Sequence, residues 1–270
     1  MTDPTWRSND RPPAAATGFG RVRAALRAAA LAVLVFGGLA ILLLVRLMER
    51  PAFGRRRPVT PHITRAVCVG ALRIVGLART TRGTPSRAGG AIVANHASWL
   101  DIFVLNAGQP VTFVAKSEVA AWPGIGWLAR ATGTLFIRRD RHAARDHVTA
   151  IRDRLIAGQR LVFFPEGTST DGLRVLPFKT MLFAAFLDPA MPADLTVQPV
   201  TLRYVAPDGA DARLYGWWGD MAFAPHLLAT LAAPRQGRVE VTYHPPIAIA
   251  DHPDRKTLAR AAETAVRSAF

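Results

Sequence analysis

A long apolar segment dominates the first third of the chain. Residues 28–45 form a run of 18 residues without a charge, and as a helix this run extends about 27 Å, close to the roughly 30 Å of a bilayer's hydrocarbon core. Arginines stand on both sides of it, so the segment alone does not decide its orientation in a membrane. The pattern predicts a basic N-terminal tail at 1–27 and an uncleaved membrane anchor helix at 28–50, with Gly37-Gly38 as a soft point in the helix.

Two alternatives exist for this apolar segment. A cleaved secretory signal is disfavoured by the 27 residues that precede the run and by the sequence Arg-Leu-Met-Glu-Arg at 46–50, where a signal has small residues. A helix lying in the membrane interface usually has a charged face, which this run lacks. The anchor is the preferred interpretation, and whether it spans the membrane or lies in the interface stays open.

The rest of the chain shows short apolar runs separated by polar and turn-forming residues. Residues 51–90 read as a connector: a Pro/Arg-rich stretch at 51–61, an amphipathic helix at 62–77 and a turn-rich break at 80–90. In the body, 91–270, strands are predicted at 91–94, 111–114, 134–137, 161–164, 196–204, 212–217 and 239–243. Helices are predicted at 99–106, 119–131, 141–157, 178–187, 222–231 and 254–269. This alternation predicts an α/β fold, a single domain with a mixed central sheet flanked by helices.

The charge lies mainly outside this body. The chain has 34 Lys and Arg against 19 Asp and Glu, and 15 of the basic but only three of the acidic residues fall within residues 1–87. A nucleic-acid-binding protein more often spreads its basic side chains over the folded surface, so we expect no nucleic acid partner. The basic N-terminal third is interpreted as an anchoring charge for an anionic bilayer. Cys68 is the single cysteine, which excludes an internal disulfide and favours a buried, inert thiol.

The first candidate site follows the strand predicted at 91–94. It contains Asn95, His96, Ser98 and Asp101, and side chains at the carboxyl end of a strand are where open α/β sheets bind ligands. A carboxylate that holds one imidazole nitrogen leaves the other free to take a proton, and such a base contributes roughly 10² to 10⁴ in rate. Ser98 and Asp101 also fit a helix cap, and His96 fits an ordinary loop histidine.

Two further segments follow predicted strands and carry polar groups. In Phe-Pro-Glu-Gly-Thr-Ser at 164–169, Gly167 permits unusual backbone conformations, and Thr168 with the loop amides can bind an oxyanion. Glu166 can accept a hydrogen bond from a substrate hydroxyl or fix the loop, although a plain tight turn has the same composition. Arg138 ends the strand at 134–137 and can bind a phosphate in a bidentate manner, although surface arginine pairs often have no such role.

A proline interrupts the β-type run at 196–204. Pro199 cannot donate a backbone hydrogen bond, so its presence there indicates a sheet edge or a bulge beside a site.

Together these four segments resemble the glycerolipid acyltransferase family, which includes bacterial 1-acylglycerol-3-phosphate acyltransferases and members that acylate lyso-ornithine lipid. The similarity runs from Ala91 to about Tyr204, with the His-x4-Asp box at 95–101 and an unbroken Phe-Pro-Glu-Gly-Thr box at 164–168. It implies that His96 is the catalytic base and that Asp101 orients it. It also implies that Arg138, Glu166 and Gly167 help to bind the acceptor headgroup, and it adds the remaining substrate-binding residues Asn95, Ser98, Thr168 and Pro199. Residues 91–270 then form the acyltransferase domain.

The resemblance implies an O-acyltransferase, bound to the membrane, that moves an acyl chain from acyl-CoA or acyl carrier protein to a lysolipid hydroxyl. No cofactor and no metal are expected. The first acceptor expected is 1-acyl-sn-glycerol-3-phosphate, giving phosphatidic acid. Because a thioester donor is cytosolic, the expected location is the bacterial inner membrane, with the active site facing the cytoplasm. The alternatives are a hydrolase, in which the same His and Asp activate water, and a non-catalytic membrane adaptor.

One departure from the family pattern favours a second acceptor. Ser169 stands where members specific for lysophosphatidate commonly have Arg, and Asp171 follows it closely. The stretch Trp-Trp-Gly-Asp-Met at 217–221 also resembles members that acylate lyso-ornithine lipid, whose amine Asp171 can pair with. A solvated loop acid is the simpler interpretation of Asp171, so both acceptors stay open.

Overall fold

A mixed sheet forms the centre of the molecule. The computed structural model describes residues 18–54, 56–86, 90–137, 144–192 and 194–270. In these residues the strands are β1 (Ala78–Arg82), β2 (Gly90–Ala94), β3 (Thr112–Lys116), β4 (Leu135–Ile137), β5 (Leu161–Phe163), β6 (Thr196–Val205), β7 (Arg238–Tyr243) and β8 (Ile247–Ala248). Their spatial order is β1-β7-β6-β2-β5-β3-β4, with β8 paired to β6. Strands β2 to β6 run parallel, whereas β7 and β8 are antiparallel to β6.

Helices cover both faces of this sheet. They are α1 (Phe19–Phe53), α2 (Thr60–Val75), α3 (Leu100–Gly108), α4 (Ile125–Thr132), α5 (Ala144–Ile156), α6 (Phe223–Ala232) and α7 (Arg255–Arg267), with 3-10 turns at Ser117–Ala121, Leu182–Leu187 and Ile249–Asp251. One apolar core lies between the sheet and α1, α2, α3 and α6, and a second lies between the sheet and α5, α7 and the 182–187 turn. The predicted α/β fold with a mixed central sheet flanked by helices is confirmed.

Strand β2 shows why the sheet forms where it does. All five of its residues are buried. Ile92 and Ala94 face one core while Ala91 and Val93 face the other, as the alternation of side chains along a strand requires. A strand covered on both faces is a continuous apolar run, and the sequence pattern identified it for that reason.

The strand β1 lies where a turn-rich break was predicted at 80–90. Its sequence Ala-Arg-Thr-Thr-Arg has no apolar alternation, and most of the strand is exposed at the edge of the sheet. It is held by parallel pairing with β7, in which Ala78 is opposite Arg238. The prediction was wrong there because long-range pairing, and not local pattern, makes this segment a strand.

Three other predicted elements differ from the structure. No strand forms at 212–217, because turn hydrogen bonds at Leu214 and Gly216 fold that segment back on itself. The helix predicted at 119–131 is divided into a 3-10 turn and α4, since Trp122-Pro123-Gly124 interrupts it. Only 182–187 of the helix predicted at 178–187 is helical, as a 3-10 turn.

The N-terminal helix is longer than the predicted anchor and is attached to the body. Helix α1 has 35 residues, about 52 Å, so it includes residues 19–27 of the predicted tail. It is long and apolar enough to cross a membrane, and most of its apolar surface is exposed. Near its start, Arg27 donates to the carbonyl oxygens of Leu231 and Ala233 at the end of α6. Near its end, the Glu49 carboxylate accepts from the Val59 amide at 2.7 Å, at the beginning of α2.

Helices α1 and α2 form an antiparallel hairpin whose closest contact is at glycine. A Cβ at Gly38 would lie 2.4 Å from Val67 Cγ2, and one at Gly70 would lie 2.9 Å from Leu34 Cδ2. Gly37, in contrast, faces open space. Gly38 is therefore a contact that permits close packing of two helices, and the soft point predicted at this pair is wrong for Gly38.

Replacing Gly38 by Ala tests this packing. We expect Gly38→Ala to lower the free energy of unfolding by about 1–3 kcal/mol, because the branched Val67 side chain leaves no room for a methyl group. Gly37→Ala is the matched control and should stabilise the helix by up to about 1 kcal/mol through helix propensity. Thermal unfolding in detergent, followed by circular dichroism, measures both. Equal midpoints for the two variants would contradict the packing.

Candidate active site

His96 lies just beyond the carboxyl end of β2, next to a buried carboxylate. Its Nδ1 is 2.7 Å from Asp101 Oδ2. The Asp101 side chain is fully buried, whereas one fifth of the His96 side chain is exposed. An ionised carboxylate can only accept, so Nδ1–H donates to it and Nε2 is left as the ring's proton acceptor. The structure thus brings together the two residues predicted as a catalytic pair.

Four groups donate to the Asp101 carboxylate. Besides His96, the backbone amides of Ala97 and Ser98 donate to Oδ2 at 2.9 Å and 3.0 Å. The Tyr204 hydroxyl donates to Oδ1 at 2.6 Å. The cap and catalytic interpretations of Asp101 do not exclude each other, because this carboxylate both binds the amides before α3 and holds the imidazole. The catalytic role stays a prediction.

Tyr204 was not singled out as a site residue by the sequence. It lies on β6, 103 residues after Asp101 in the chain, and its side chain is buried. Burial, together with the charge of Asp101, raises the pKa of Tyr204 well above its usual value. The hydroxyl therefore stays protonated and donates a hydrogen bond to the carboxylate. Only the pairing of β6 with β2 brings these residues together.

The second sequence box meets the first because β2 and β5 are parallel neighbours. The Phe164 ring, directly after β5, stacks on the His96 ring with centroids 4.1 Å apart and planes inclined by 11°. Phe113 packs on Phe164 at 6.1 Å. The imidazole is therefore fixed on one side by an aromatic surface and at Nδ1 by Asp101.

Glu166 holds the loop of the second box against His96. One carboxylate oxygen accepts from the His96 amide at 2.7 Å, and the other accepts from the Leu176 amide at 2.8 Å. Burial raises the pKa of Glu166 to about 8. Of the two roles predicted for this residue, the geometry shows loop fixation, since both oxygens are used within the protein.

Gly167 and Thr168 form the turn after Glu166. Gly167 has a φ of +73°, which favours glycine, and its amide donates to the Phe164 carbonyl. A Cβ at Gly167 would lie 2.8 Å from Lys179 Nζ, so the missing side chain lets an ammonium group approach the loop. Thr168 is buried. Lys179 is a cation near the second box that sequence reasoning missed.

Three of the predicted substrate-binding residues, Asn95, Ser98 and Pro199, are buried and make their contacts within the protein. The Asn95 side chain donates to the Leu202 carbonyl and accepts from the Leu202 amide, both at 2.8 Å, and so clasps β6. Ser98 is fully buried and its Oγ accepts from the Leu100 amide. Pro199 is buried in β6 opposite Val93. These side chains shape the site from within the protein, and their contact with a substrate stays a prediction.

Pro199 lies inside the sheet and not at its edge. Strand β8 pairs with β6 at residues 196 and 197, and β7 pairs with β6 from Val200 onward. Proline is tolerated between these two pairings, where the partner of β6 changes, and its carbonyl accepts from the His244 amide. The predicted sheet edge is therefore wrong, whereas the predicted bulge is confirmed: between the pairs 197–247 and 200–243, two residues of β6 lie opposite three of the partner segment.

Two predicted charged residues remain, Arg138 and Asp171. Arg138 lies outside the described residues. Asp171 is buried and forms a bidentate pair with Arg174, with Nε to Oδ1 at 3.2 Å and Nη2 to Oδ2 at 2.9 Å. Asp171 is therefore not a solvated loop acid, and its charge is already matched by a cation that sequence reasoning overlooked.

The aromatic segment after β6 packs on the His96 loop. The Trp217 amide donates to the Ala97 carbonyl at 2.8 Å, and its ring contacts Trp122 edge-to-face. On the other side of this loop, Trp99 Nε1 donates to Nδ1 of the buried His226. Burial lowers the pKa of His226 to about 4, so this second histidine is neutral at physiological pH.

The described residues also bear on the expectations of no metal site and an inert cysteine. In that part of the chain no group of three His, Cys, Asp or Glu side chains is placed to hold a metal ion. Cys68 is buried in α2, and burial raises the pKa of its thiol to about 12, as an inert cysteine requires.

Comparison with known proteins places this arrangement in a family. A family model described as "Acyltransferase" matches residues 78–203. The chain is 54% identical over 272 residues to a lyso-ornithine lipid O-acyltransferase of Rhodobacter capsulatus, with 99% of this chain and 98% of that protein covered. The chain belongs to the acyltransferase family. The family match begins at the first residue of β1, so the acyltransferase region includes this strand, which was predicted to be part of the connector.

The chain is also similar to an enzyme named for another acceptor and to a solved structure. The chain is 40% identical over 125 residues to a 1-acyl-sn-glycerol-3-phosphate acyltransferase of Neisseria gonorrhoeae, covering 46% of this chain and 48% of that protein. The crystal structure of the 1-acyl-sn-glycerophosphate acyltransferase PlsC from Thermotoga maritima superposes with a TM-score of 0.63 over 93% of this chain and 92% of that chain, at 20% identity. The second similarity supports the acyltransferase fold of the chain, from α1 to α7.

Removal of the Tyr204 hydroxyl tests whether it positions the acyltransferase's His–Asp pair. We expect Tyr204→Phe to lower kcat roughly 10-fold to 100-fold, the range for losing a hydrogen bond to a charged group, with KM for the acceptor nearly unchanged. Tyr215→Phe is the matched control: Tyr215 packs on Tyr204, but its hydroxyl binds Gln236 and the Gly237 amide. A steady-state acyltransfer assay in detergent measures both. An equal fall in kcat for the two variants would show a general packing effect and contradict the positioning role.

Proposed function

We propose that this chain is a lyso-ornithine lipid O-acyltransferase that moves an acyl chain from a thioester donor, acyl-CoA or acyl carrier protein, to the acceptor's hydroxyl. The observation that carries the chemistry is the His96–Asp101 pair, with a partly exposed imidazole held by a buried carboxylate. The observation that carries the acceptor is the 54% identity over nearly the whole of both chains to the Rhodobacter capsulatus protein of that name.

The proposed reaction is a direct transfer. His96 Nε2 removes the proton of the acceptor hydroxyl while that oxygen attacks the thioester carbonyl. The new C–O ester bond forms, the C–S bond breaks, and the thiolate leaves, taking up the proton that His96 carries. Asp101 stabilises the imidazolium between these two steps. No acyl-enzyme is needed, because the acceptor oxygen is itself the nucleophile.

The other site residues have supporting roles in this proposal. Glu166 and Phe164 hold the imidazole and its backbone, since they contact His96 directly. Tyr204 holds Asp101. Gly167 and Thr168 shape the loop beside the base, and Arg138 remains a candidate for the acceptor headgroup from the family resemblance alone.

The choice between the two predicted acceptors depends on the extent of similarity. The relative named for 1-acyl-sn-glycerol-3-phosphate aligns with less than half of this chain, whereas the relative named for lyso-ornithine lipid aligns with 99% of it. Ser169, in place of the arginine common in lysophosphatidate enzymes, supports the same choice. Asp171 does not, because Arg174 already pairs with its carboxylate. Lyso-ornithine lipid thus becomes the preferred acceptor, and lysophosphatidate is the second candidate.

The exposed apolar face of α1 and the lipid acyltransferase family indicate membrane association. We propose the inner membrane with the site facing the cytoplasm, because thioester donors are made there. Helix α1 contacts the body near both ends, at Arg27 and at Glu49. A helix flanked by the body along most of its length fits an interfacial position better than a perpendicular span.

Purified protein in detergent, given a labelled acyl donor, tests the proposed function. With acyl-CoA or acyl carrier protein as donor, we expect acylation of lyso-ornithine lipid to exceed acylation of lysophosphatidate at least 10-fold in kcat/KM. His96→Ala should lower the rate by at least 10²-fold while the circular dichroism spectrum is unchanged. His62→Ala, at an exposed position on α2, is the matched control and should keep full activity.

Four outcomes would contradict the proposal. Preference for lysophosphatidate would overturn the acceptor. Release of free fatty acid without an acceptor would favour a hydrolase. Full activity of His96→Ala would remove the catalytic assignment of His96. No acylation of either lipid with either donor would favour the non-catalytic membrane adaptor.

A further inference from the structure

A cavity of about 550 Å³ lies where the end of α1 meets the connector to α2 and the end of α4. Four arginines line it, and two leucines of α1 form an apolar side: Arg46, Arg50, Arg57, Arg130, Leu42 and Leu43. Its volume is within the usual range for small-molecule pockets. We call it the arginine cavity.

Positive charge in the arginine cavity exceeds negative charge. The carboxylate of Glu49 is close to Arg46, at 3.2 Å, but it also accepts from the amides of Val59 and Thr60 and is buried. The surroundings of Arg57 are cationic as well: burial, together with the charges of Arg46 and Arg154, lowers the pKa of Arg57. The described lining therefore holds four guanidinium groups and no carboxylate, with buried Glu49 next to Arg46.

Two of the four arginines, Arg57 and Arg130, keep donors available and are held in place, whereas Arg46 uses Nη1 and Nη2 to bind Glu49 and the carbonyls of Arg56 and Gly54. Arg57 uses Nη1 to bind the Ala131 carbonyl at 2.7 Å, and Arg130 uses Nη1 to bind the Ala120 carbonyl at 2.7 Å. A guanidinium has five N–H donors, so most donors of these two side chains remain for an anion. Such anchored guanidiniums lose less freedom on binding and suit bidentate recognition of phosphate.

The arginine cavity is separate from the catalytic site. Ala131 and Gly133 precede β4, and Arg57 lies against both residues. The cavity is therefore at the amino end of β4, whereas His96 follows the carboxyl end of β2. None of the residues that line the cavity belongs to the His96–Asp101 pair or to the second sequence box, so the two sites share no side chain.

An apolar surface continues from the arginine cavity along α1. The side chains of Leu43, Leu44, Leu47 and Met48 are exposed, with 52% to 72% of each residue accessible. Arginines at the border of such a surface lie where the phosphate layer of a bilayer meets its hydrocarbon. A soluble phosphate would use the cations only, but a phospholipid would use the cations and the leucines together.

We propose that the arginine cavity binds the phosphate of an anionic phospholipid of the bilayer, with the lipid's chains lying along the exposed face of α1. This lipid is distinct from the acceptor, because the arginine cavity shares no lining residue with the His96 site. The proposal goes beyond acyl transfer and does not depend on which lysolipid is acylated.

Native mass spectrometry of the full-length protein in neutral detergent tests this site. We expect phosphatidylglycerol to bind at least 10-fold more tightly than phosphatidylcholine, and glycerol 3-phosphate, which has a phosphate but no chains, not to bind at 1 mM. Arg50→Gln with Arg130→Gln should weaken phosphatidylglycerol binding about 30-fold, on the basis of about 5-fold for each arginine near an anionic lipid surface. Arg73→Gln with Arg260→Gln, at exposed positions on α2 and α7, removes the same charge elsewhere and should change binding less than 3-fold.

Each result supports or overturns the proposal. Equal weakening in the two double variants would show diffuse attraction and overturn the site, and tight binding of glycerol 3-phosphate would overturn the lipid as its ligand. Arg50→Gln alone breaks none of the backbone contacts made by Arg57 and Arg130, so it keeps the test valid if the double variant unfolds. Acyl transfer in detergent without phosphatidylglycerol should be unchanged in the Arg50→Gln variant. A loss of that activity would place the cavity in the substrate site and contradict the proposal, without affecting the assignment of His96.

Discussion

The buried carboxylate of Asp101 is the constraint on which the candidate site depends. A fully buried charge is costly unless hydrogen bonds surround it, and Asp101 receives four, from an imidazole, two amides and a hydroxyl. Two amides fix the turn before α3, and Tyr204 ties that turn to β6. The imidazole of His96 is the single partly exposed member of this set. The environment that stabilises the carboxylate thus also fixes the base beside the substrate.

The parallel order of the central strands brings the second box to this carboxylate. Strands β2 and β5 are neighbours, so the segments after them meet at the same edge of the sheet. Phe164 then stacks on His96, and Glu166 binds its amide. Most side chains of both boxes hold the imidazole in place, and few of them present polar groups to solvent. This explains why few of the predicted substrate-binding side chains are free to contact a ligand directly.

Local patterns predicted the parts of the fold and site that are themselves local. Strand β2 is covered on both faces and is therefore apolar throughout, and the His96–Asp101 spacing fits the turn that leads into α3. Long-range contacts were not predictable in this way. Strand β1 is polar and exists through its pairing with β7, Tyr204 meets Asp101 from another strand, and Gly38 differs from Gly37 only because α2 packs against it. Asp171 was misjudged because its partner, Arg174, lies in the same loop, where a spacing of three residues does not predict that two side chains meet.

The central claim is that Asp101 fixes the tautomer of His96, with the proton on Nδ1 and an unprotonated Nε2 ready to take the acceptor's proton. The most direct measurement is ¹⁵N NMR of the histidine-labelled protein in detergent, with the His96 signals assigned by comparison with His96→Gln. We expect the Nδ1–H tautomer for neutral His96, and loss of that preference in Asp101→Asn. A neutral His96 that carries its proton on Nε2 in the wild-type protein would contradict this claim.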